Sequence, residues 1–201
     1  MFIKEIKYPN IIDEDLAIAT GMLIGDGSMP RKHNGDGKRN YLLYFGNTNK
    51  NLVIFFSDKI RNLFGLKGKI FRVDRDGKKP FYTYYCYSKN IVLFFINLGV
   101  DDGKKAIKVR VPNKILKSNK RIRSSLLKGL IITDGSIKAD KTLMFHCASE
   151  GLLSDINRII SQDTTVDSKI IKKFIQGKFT SYQLSYKRGE TEKICSYARV
   201  A

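Results

Sequence analysis

Two segments of the chain carry the same pattern of apolar and small residues. They are residues 17–28 (AIATGMLIGDGS) and residues 125–136 (SLLKGLIITDGS), and an offset of 108 in residue number superposes Asp26 on Asp134. Each segment is apolar around most of a helical circumference, which predicts a helix buried on more than one face. The pattern therefore predicts two equivalent interior helices, one in each half of the chain.

Glycines occupy matching places inside and just after each predicted helix. Gly21 and Gly129 lie in the helix interiors, where glycine costs about 1 kcal/mol relative to alanine. The same cost at both positions indicates close backbone approach, and the natural partner of each helix is the other. Gly27 and Gly135 are interpreted as the C-terminal stops of the two helices.

The spacing of apolar residues predicts the remaining elements. Hairpins are predicted at 28–48, 67–88, 136–148 and 169–186, and helices at 51–64, 90–98, 151–161 and 190–199, with Asp13 as the N-cap of the first helix. Residues 154–160 echo residues 57–63 at an offset of 97, which predicts that the second copy is shorter by eleven positions, with the loss in the loop at 33–40. The predicted organisation is residues 1–99, a basic connector at 100–120, and residues 121–201.

The charge of the chain points to a polyanionic partner. Its 37 Lys and Arg residues oppose 19 Asp and Glu residues, giving a formal net charge of +18. Such an excess is typical of nucleic-acid binding, although a basic protein from a lysine-rich proteome would show it too. No apolar run is long enough to span a membrane. The three widely spaced cysteines and the charged N-terminus favour an intracellular protein, in the cytoplasm or nucleoid or in an organelle.

The two predicted helices place two acids side by side. If the helices pack in parallel, Asp26 and Asp134 become neighbours at their C-terminal ends, where the helix dipole is already negative. Two carboxylates there would raise each other's pKa unless a cation lay between them. A hard divalent ion with oxygen ligands, such as Mg²⁺, resolves the conflict. A lone Asp before Gly is more often a turn residue, but the duplication argues against that reading here.

These residues resemble the LAGLIDADG motif of homing endonucleases, in the form that carries both motifs on one chain. Residues 19–27 and 127–135 occupy the nine motif positions, keeping the central glycine, the apolar run and the terminal Asp-Gly. Position six is Ile24 and Ile132 where the motif name has Asp. The resemblance implies an α+β fold of two pseudo-symmetric αββαββα halves, whose antiparallel sheets form a DNA-binding saddle.

The resemblance also implies the chemistry. Asp26 and Asp134 would hold Mg²⁺, with Mn²⁺ as a substitute, and the carbonyls of Gly25 and Thr133 would be further ligands. A basic residue near each metal is expected, for which the candidates are Lys104 and Lys105. Asn47 could order solvent, or it could be a turn residue.

A two-stranded ribbon fits the DNA major groove, so polar and basic hairpin residues are candidate DNA contacts. They are Lys32, Lys38, Arg39, Tyr44, Arg72, Arg75, Tyr82 and Tyr84 in the first half, and Lys138, Lys141, His146, Lys169, Lys172, Lys178, Tyr182 and Lys187 in the second. Any one of them could instead be a solvated surface residue. The connector at 100–120 could follow a phosphate backbone or simply be solvated.

The function predicted from the resemblance is site-specific cleavage of both strands of a long, at most loosely palindromic DNA duplex by a monomer. The protein would be the product of an intron- or intein-type mobile element. The alternatives are a nucleic-acid binder that does not cut, such as an intron RNA maturase, and a structural interaction protein. The last leaves the paired acids and the charge unexplained.

Overall fold

The computed structural model describes residues 6–33, 39–101 and 105–200, without the side chains of residues 31–33, 39–40 and 105–106. The helices are α1 (Glu14–Gly25), α2 (Lys50–Phe64), α3 (Lys89–Leu98), α4 (Lys105–Lys108), α5 (Asn113–Leu116), α6 (Lys120–Asp134), α7 (Glu150–Thr164) and α8 (Arg188–Ala198). The strands are β1 (Gly27–Ser28), β2 (Arg31–His33), β3 (Arg39–Asn47), β4 (Lys69–Arg75), β5 (Lys78–Tyr87), β6 (Gly135–Ile137), β7 (Leu143–Cys147), β8 (Ile171–Ile175) and β9 (Lys178–Tyr186). The predicted order of helix, hairpin, helix, hairpin and helix is confirmed in both halves.

The two motif helices, α1 and α6, pack side by side and parallel. At their N-terminal ends, Glu14 of α1 forms an ion pair with Arg121 of α6. At their centres, a β-carbon on Gly21 would lie 3.1 Å from the Cα of Gly129, so these glycines let the backbones touch. Asp13 caps α1 as predicted, because its carboxylate accepts a hydrogen bond of 2.8 Å from the Leu16 amide.

Gly27 and Gly135 follow the ends of the two helices, but neither adopts the left-handed conformation that is common for a glycine at a helix C-terminus. Gly27 lies in the extended strand β1, and Gly135 has φ −74° and ψ 137°. A β-carbon on Gly27 would lie 2.8 Å from the Cα of Leu23, and one on Gly135 would lie 2.9 Å from the Cα of Ile131. Glycine is therefore required for room against the preceding helical turn and not for a positive φ.

Beyond the first hairpin, the second half repeats the first at an offset of 100 in residue number. The pair Phe45–Tyr84 in the first sheet corresponds to Phe145–Leu184 in the second, and α2 and α7 begin at residues 50 and 150. The predicted offset of 97 was wrong, so the second copy is shorter than the first by eight positions and not by eleven. A slip of three positions returns to nearly the same helix face, which explains why the apolar pattern matched at both offsets.

Each half builds one antiparallel sheet. The first has the order β1-β3-β5-β4, with β2 also paired to β3, and the second has the order β6-β7-β9-β8. Phe45 stacks on Phe56 of α2 with ring centroids 4.5 Å apart, and Tyr84 meets Phe56 edge-on at 5.6 Å. We call this side of each sheet the helix face. Because side chains alternate along a strand, Tyr44 and Tyr85 lie on the opposite side, which we call the open face.

The connector at 100–120 is partly built into the core. Val109 and Val111 are buried. Between them, the Arg110 guanidinium donates to Asp155 of α7 at 2.6 and 2.7 Å, and the Val111 amide donates to the same carboxylate at 3.0 Å. The connector therefore packs against the second half rather than standing free in solvent. In the described part of the chain, no helix is both long and apolar enough to cross a membrane.

Candidate active site and nucleic-acid interface

Asp26 and Asp134 stand at the adjoining C-terminal ends of α1 and α6. A β-carbon on Gly25 would lie 2.8 Å from the Cβ of Thr133 and 3.3 Å from the Cγ of Asp134, so only glycine fits before the first acid. The glycine contact at the helix centres sets this approach, because it removes the side chains that would hold the two axes apart. The predicted neighbourhood of the two acids is present in the fold.

Asp26 is half-buried and has one strong hydrogen bond. The Asn47 side-chain amide, at the end of β3, donates to Asp26 Oδ2 at 2.6 Å. Burial raises the pKa of Asp26 above its usual range, and the Asn47 hydrogen bond opposes that rise. Asn47 also accepts from the Asn49 amide at 2.7 Å. It is therefore both a turn residue and a partner of the acid, so the two predicted roles are not exclusive.

In the second half, the strand position that corresponds to Asn47 holds a different residue. The strand register makes Cys147 the counterpart of Asn47, since Cys147 pairs with Tyr182 as Asn47 pairs with Tyr82. Burial raises the pKa of the Cys147 thiol, the Ser149 amide opposes this, and the charge of Asp134 adds to the rise. The thiol therefore lies within electrostatic reach of Asp134, and the two acids have unlike surroundings.

The oxygen atoms at the helix ends suit a hard divalent cation. Carboxylates and backbone carbonyls are the ligands that Mg²⁺ takes from proteins, and the last carbonyls of a helix have no partner within it. Those of Gly25 and Thr133 belong to this last turn. No group of three His, Cys, Asp or Glu side chains suited to a metal occurs among the residues described. A cation here would rest on Asp26, Asp134, carbonyls and ligands from outside the protein.

The predicted basic residues of the site are Lys104 and Lys105, around the start of α4. Lys104 lies outside the described residues, and of Lys105 only the backbone, at the start of α4, is described. Val109, just after α4, is held by a hydrogen bond to α7. The hydroxyl of Ser149, at the N-terminus of α7, donates to the Val109 carbonyl at 2.7 Å.

The first sheet distributes the predicted DNA contacts over both of its faces. Tyr44 lies on the open face, and Arg75 stacks on Phe81 there at 4.0 Å. Arg72 and Tyr82 form a register pair on the helix face, and Arg72 is paired with Asp74. Tyr84 is fully buried, so its predicted contact with DNA is contradicted. Lys38 lies outside the described residues, as do the side chains of Lys32 and Arg39.

The second sheet places its candidates mostly at strand ends and turns. His146 is exposed on the open face, whereas Lys172 pairs with the half-buried Tyr182 on the helix face. The remaining candidates are exposed and lie in turns or at the ends of strands, namely Lys138, Lys141, Lys169, Lys178 and Lys187.

Several open-face residues were missed by the sequence analysis. They are Lys69, Phe71, Phe81, Thr83 and Tyr85 in the first sheet, and Lys173, Ser181, Gln183 and Ser185 in the second. Residues 80–88 (PFYTYYCYS) are aromatic on both faces, so alternation gave no way to choose a side. The signal that fixes the side is Phe45, whose register partner Tyr84 must face the core with it.

Comparisons with known proteins give relatives both in sequence and in structure. No protein-family model matches the chain. It is 30% identical over 138 residues, 69% of its length, to the A subunit of the A-type ATP synthase from Pyrococcus abyssi (strain GE5 / Orsay), and it spans only 12% of that protein.

Among solved structures, the homing endonuclease I-DmoI in complex with DNA and Mn matches with a TM-score of 0.71 and 20% identity, over 95% of this chain and 99% of that one. I-DmoI structures were also determined with Ca and in the presence of Mg. The homing endonuclease I-WcaI, bound to its DNA recognition sequence, matches with a TM-score of 0.60 and 12% identity, over 94% of this chain and 82% of that one.

Proposed function

We propose that this chain, which has the fold of the LAGLIDADG homing endonucleases, is a divalent-metal-dependent DNA endonuclease. Its substrate is a long, at most loosely palindromic duplex, and it hydrolyses one phosphodiester bond in each strand. The observation that carries the proposal is the pairing of Asp26 and Asp134 at the adjoining ends of two glycine-packed helices. An acid at a helix C-terminus is unfavourable, and the fold places two of them together.

The residues of the site have distinct roles in this proposal. Asp26 and Asp134, with the carbonyls of Gly25 and Thr133, would hold Mg²⁺ or Mn²⁺. A bound divalent cation stabilises the attacking and leaving oxygens of an in-line displacement. Asn47 orients the Asp26 carboxylate through its hydrogen bond of 2.6 Å. Lys104 and Lys105 remain candidates for contact with the scissile phosphate.

The charge of the protein supports DNA as the substrate. A net charge of +18 attracts a phosphate backbone, and affinity that comes from phosphate contacts falls steeply with added salt. The predicted lysines of the second sheet are exposed in turns and at strand ends, and they would contact phosphates. These lysines would position the duplex, while the open faces reach its base edges.

The proposal includes an origin in an intron- or intein-type mobile element. The match to the archaeal ATP synthase protein is confined to 12% of its length, as expected for a domain inserted into a host polypeptide. The chain itself contains no Gly-x₄-Gly-Lys-Ser/Thr sequence, which the phosphate-binding loop of an ATPase would require.

Cleavage of a randomised duplex library tests the proposal. With Mg²⁺ the protein should cut both strands of a subset of sequences, and with EDTA it should cut none. Asp26→Asn and Asp134→Asn should still bind those sequences but lose double-strand cleavage by about a hundredfold or more. Asp58→Asn makes the same charge change at the exposed Asp58–Arg61 pair and should cut normally.

Two results would contradict the proposal. The first is metal-independent tight binding with no strand scission at any sequence, which would favour the non-cutting binder. The second is full double-strand cleavage by either aspartate variant, which would refute the assignment of the acids.

A further inference from the structure

The open faces of the two sheets are equivalent in position, but only the first carries aromatic rings at the positions compared. At the offset of 100, each first-sheet residue has a counterpart in the second. The pairs are Tyr44 and Met144, Phe71 and Ile171, Val73 and Lys173, Phe81 and Ser181, Thr83 and Gln183, and Tyr85 and Ser185. The ring-bearing positions of the first sheet therefore hold no ring in the second.

Aromatic side chains dominate the open face of the first sheet. The Tyr85 ring contacts Tyr44 at 5.3 Å and Phe71 at 5.6 Å between centroids. Phe71 and Val73 are 50% and 41% exposed although both are hydrophobic. A cluster of exposed apolar side chains of this kind indicates a binding site with apolar content.

The open face of the second sheet carries mainly hydrogen-bonding groups, together with Ile171, which is 48% exposed, and the buried Met144. Gln183 is only 8% exposed and pairs in register with the exposed His146 on one side and with Ile171 on the other. Ser181 pairs with Lys173 in the next row. Amide, imidazole, hydroxyl and ammonium groups can each bond to the base edges of a DNA groove.

We propose that the first sheet recognises its half of the DNA target by apolar contact with thymine methyl groups, and that the second recognises its half by hydrogen bonds. This inference rests on the proposed function, because it requires a duplex in the saddle. The thymine 5-methyl is the apolar feature of the major groove. The first half-site should therefore be rich in A·T pairs, and the second should owe its specificity to purine N7, O6 and N6 groups.

The geometry of the rings favours methyl contact over base stacking. Stacking platforms for single strands offer free ring faces, but Tyr44 and Phe71 both meet Tyr85 nearly perpendicularly, with interplanar angles of 71° and 73°. The rings pack edge-on against one another, so they are not a set of free parallel faces on which bases could stack. An RNA strand carries uracil, which lacks the methyl, so this surface selects DNA.

Substitution of deoxyuridine for thymidine removes only the methyl group. Burial of one such group contributes about 0.8 kcal/mol, so each contacted thymine should be worth about fourfold in affinity. The target is first selected from random duplexes in Ca²⁺, and the affinity is then measured with deoxyuridine placed in one half-site at a time. The first half-site should lose about fourfold for each contacted thymine, and the second should change by less than about twofold.

Matched variants assign each half-site to a sheet. Tyr85→Ser places the second-sheet residue on the first sheet and should abolish most of the deoxyuridine effect. Ser185→Ala, at the equivalent position, should leave that effect unchanged. In the other half-site, 7-deazapurines should weaken binding, and His146→Ala, at the exposed open-face residue, should reduce that loss.

The outcomes separate the two proposals. Cleavage of a duplex whose half-sites respond equally to deoxyuridine would overturn this inference and leave the proposed function intact, as would a selected first half-site without thymine. Tighter binding to single-stranded RNA than to any duplex would overturn both.

Discussion

In each half of the molecule, an ion pair ties the motif helix to the helix that follows the first hairpin, but the two pairs differ in polarity and burial. In the second half, Arg123 of α6 pairs with Asp163 of α7 at 2.6 Å, with side chains 10% and 5% exposed. Tyr197 of α8 donates to the same carboxylate at 2.5 Å. In the first half, Asp15 takes the place of Arg123 and pairs with Lys59 of α2 at 2.5 Å, with side chains 41% and 18% exposed.

The comparison shows what the duplication preserves. Asp15 and Arg123 are related by the same offset of 108 that relates the motif acids. The position on the motif helix and the link between the two helices are therefore kept, while the charges are exchanged. The partner on the second helix moves, since Lys59 corresponds to Ile159 and not to Asp163 at the offset of 100.

Asn47 and Cys147 beside the acids, and the residues of the two open faces, likewise occupy equivalent backbone positions with different side chains. In contrast, the contact between Gly21 and Gly129 uses the same residue in both helices and is symmetric.

The largest expected effect is the difference in stability cost between breaking the buried ion pair and breaking the exposed one. Asp163→Asn leaves Arg123 buried without a charge partner and should lower the free energy of unfolding by about 3–5 kcal/mol. Asp15→Asn should cost about 0–1 kcal/mol, because its pair is more exposed to solvent. Denaturant unfolding of both variants measures the difference. Equal costs would show that burial does not distinguish the halves.

The Asp163 pair also predicts a pH dependence. Burial alone would raise the pKa of Asp163, but hydrogen bonds from Arg123 and Tyr197 outweigh it and hold the pKa below its usual value. A lowered folded-state pKa contributes stability that is present above the ordinary carboxyl pKa and lost as the pH falls through the lowered value. The Asp163→Asn variant should therefore lose less stability than the wild type between neutral and acid pH.

The next effect tests the symmetric contact between the motif helices. A β-carbon on Gly21 would lie 3.1 Å from the Gly129 Cα, and one on Gly129 would lie 3.0 Å from the Gly21 Cα. Each alanine variant should cost about 1–3 kcal/mol from overpacking, and the two costs should be alike in denaturant unfolding. Gly189→Ala in α8 meets nothing within 4 Å and is the control, expected to be neutral or slightly stabilising. A cost near the top of that range for one variant and no cost for the other would contradict a symmetric contact.

The smallest expected effect concerns the unfavourable electrostatic environment of Asp26 at the C-terminal end of α1. Asp26 is a half-buried carboxylate at a helix C-terminus, so Asp26→Asn should stabilise the metal-free protein at neutral pH by about 0.5–2 kcal/mol. Thermal unfolding in EDTA measures the gain, with Asp58→Asn as the exposed control. A loss of stability on removal of the Asp26 charge would mean that the site is not under electrostatic strain.

Local patterns predicted the elements and the paired acids, because both depend on residues close in sequence or on the repeat itself. Periodicity located the hairpins and helices, and the duplicated Asp-Gly predicted the contact between α1 and α6.

The rest depends on contacts between distant residues. Arg110 and Asp155 are 45 residues apart, and Arg123 and Asp163 are 40 apart, so neither pair leaves a local signal. The inward side of Tyr84 follows from strand pairing and not from its own aromatic strand.

The central claim, that Asp26 and Asp134 together hold a divalent cation, can be tested by paramagnetic NMR without knowledge of the target. Mn²⁺ titrated into the free protein should first broaden the amide signals of Asp26, Gly27, Asp134 and Gly135 together, and Asp26→Asn or Asp134→Asn should weaken that broadening in both segments. Broadening that begins elsewhere, or in only one of the two segments, would contradict the account.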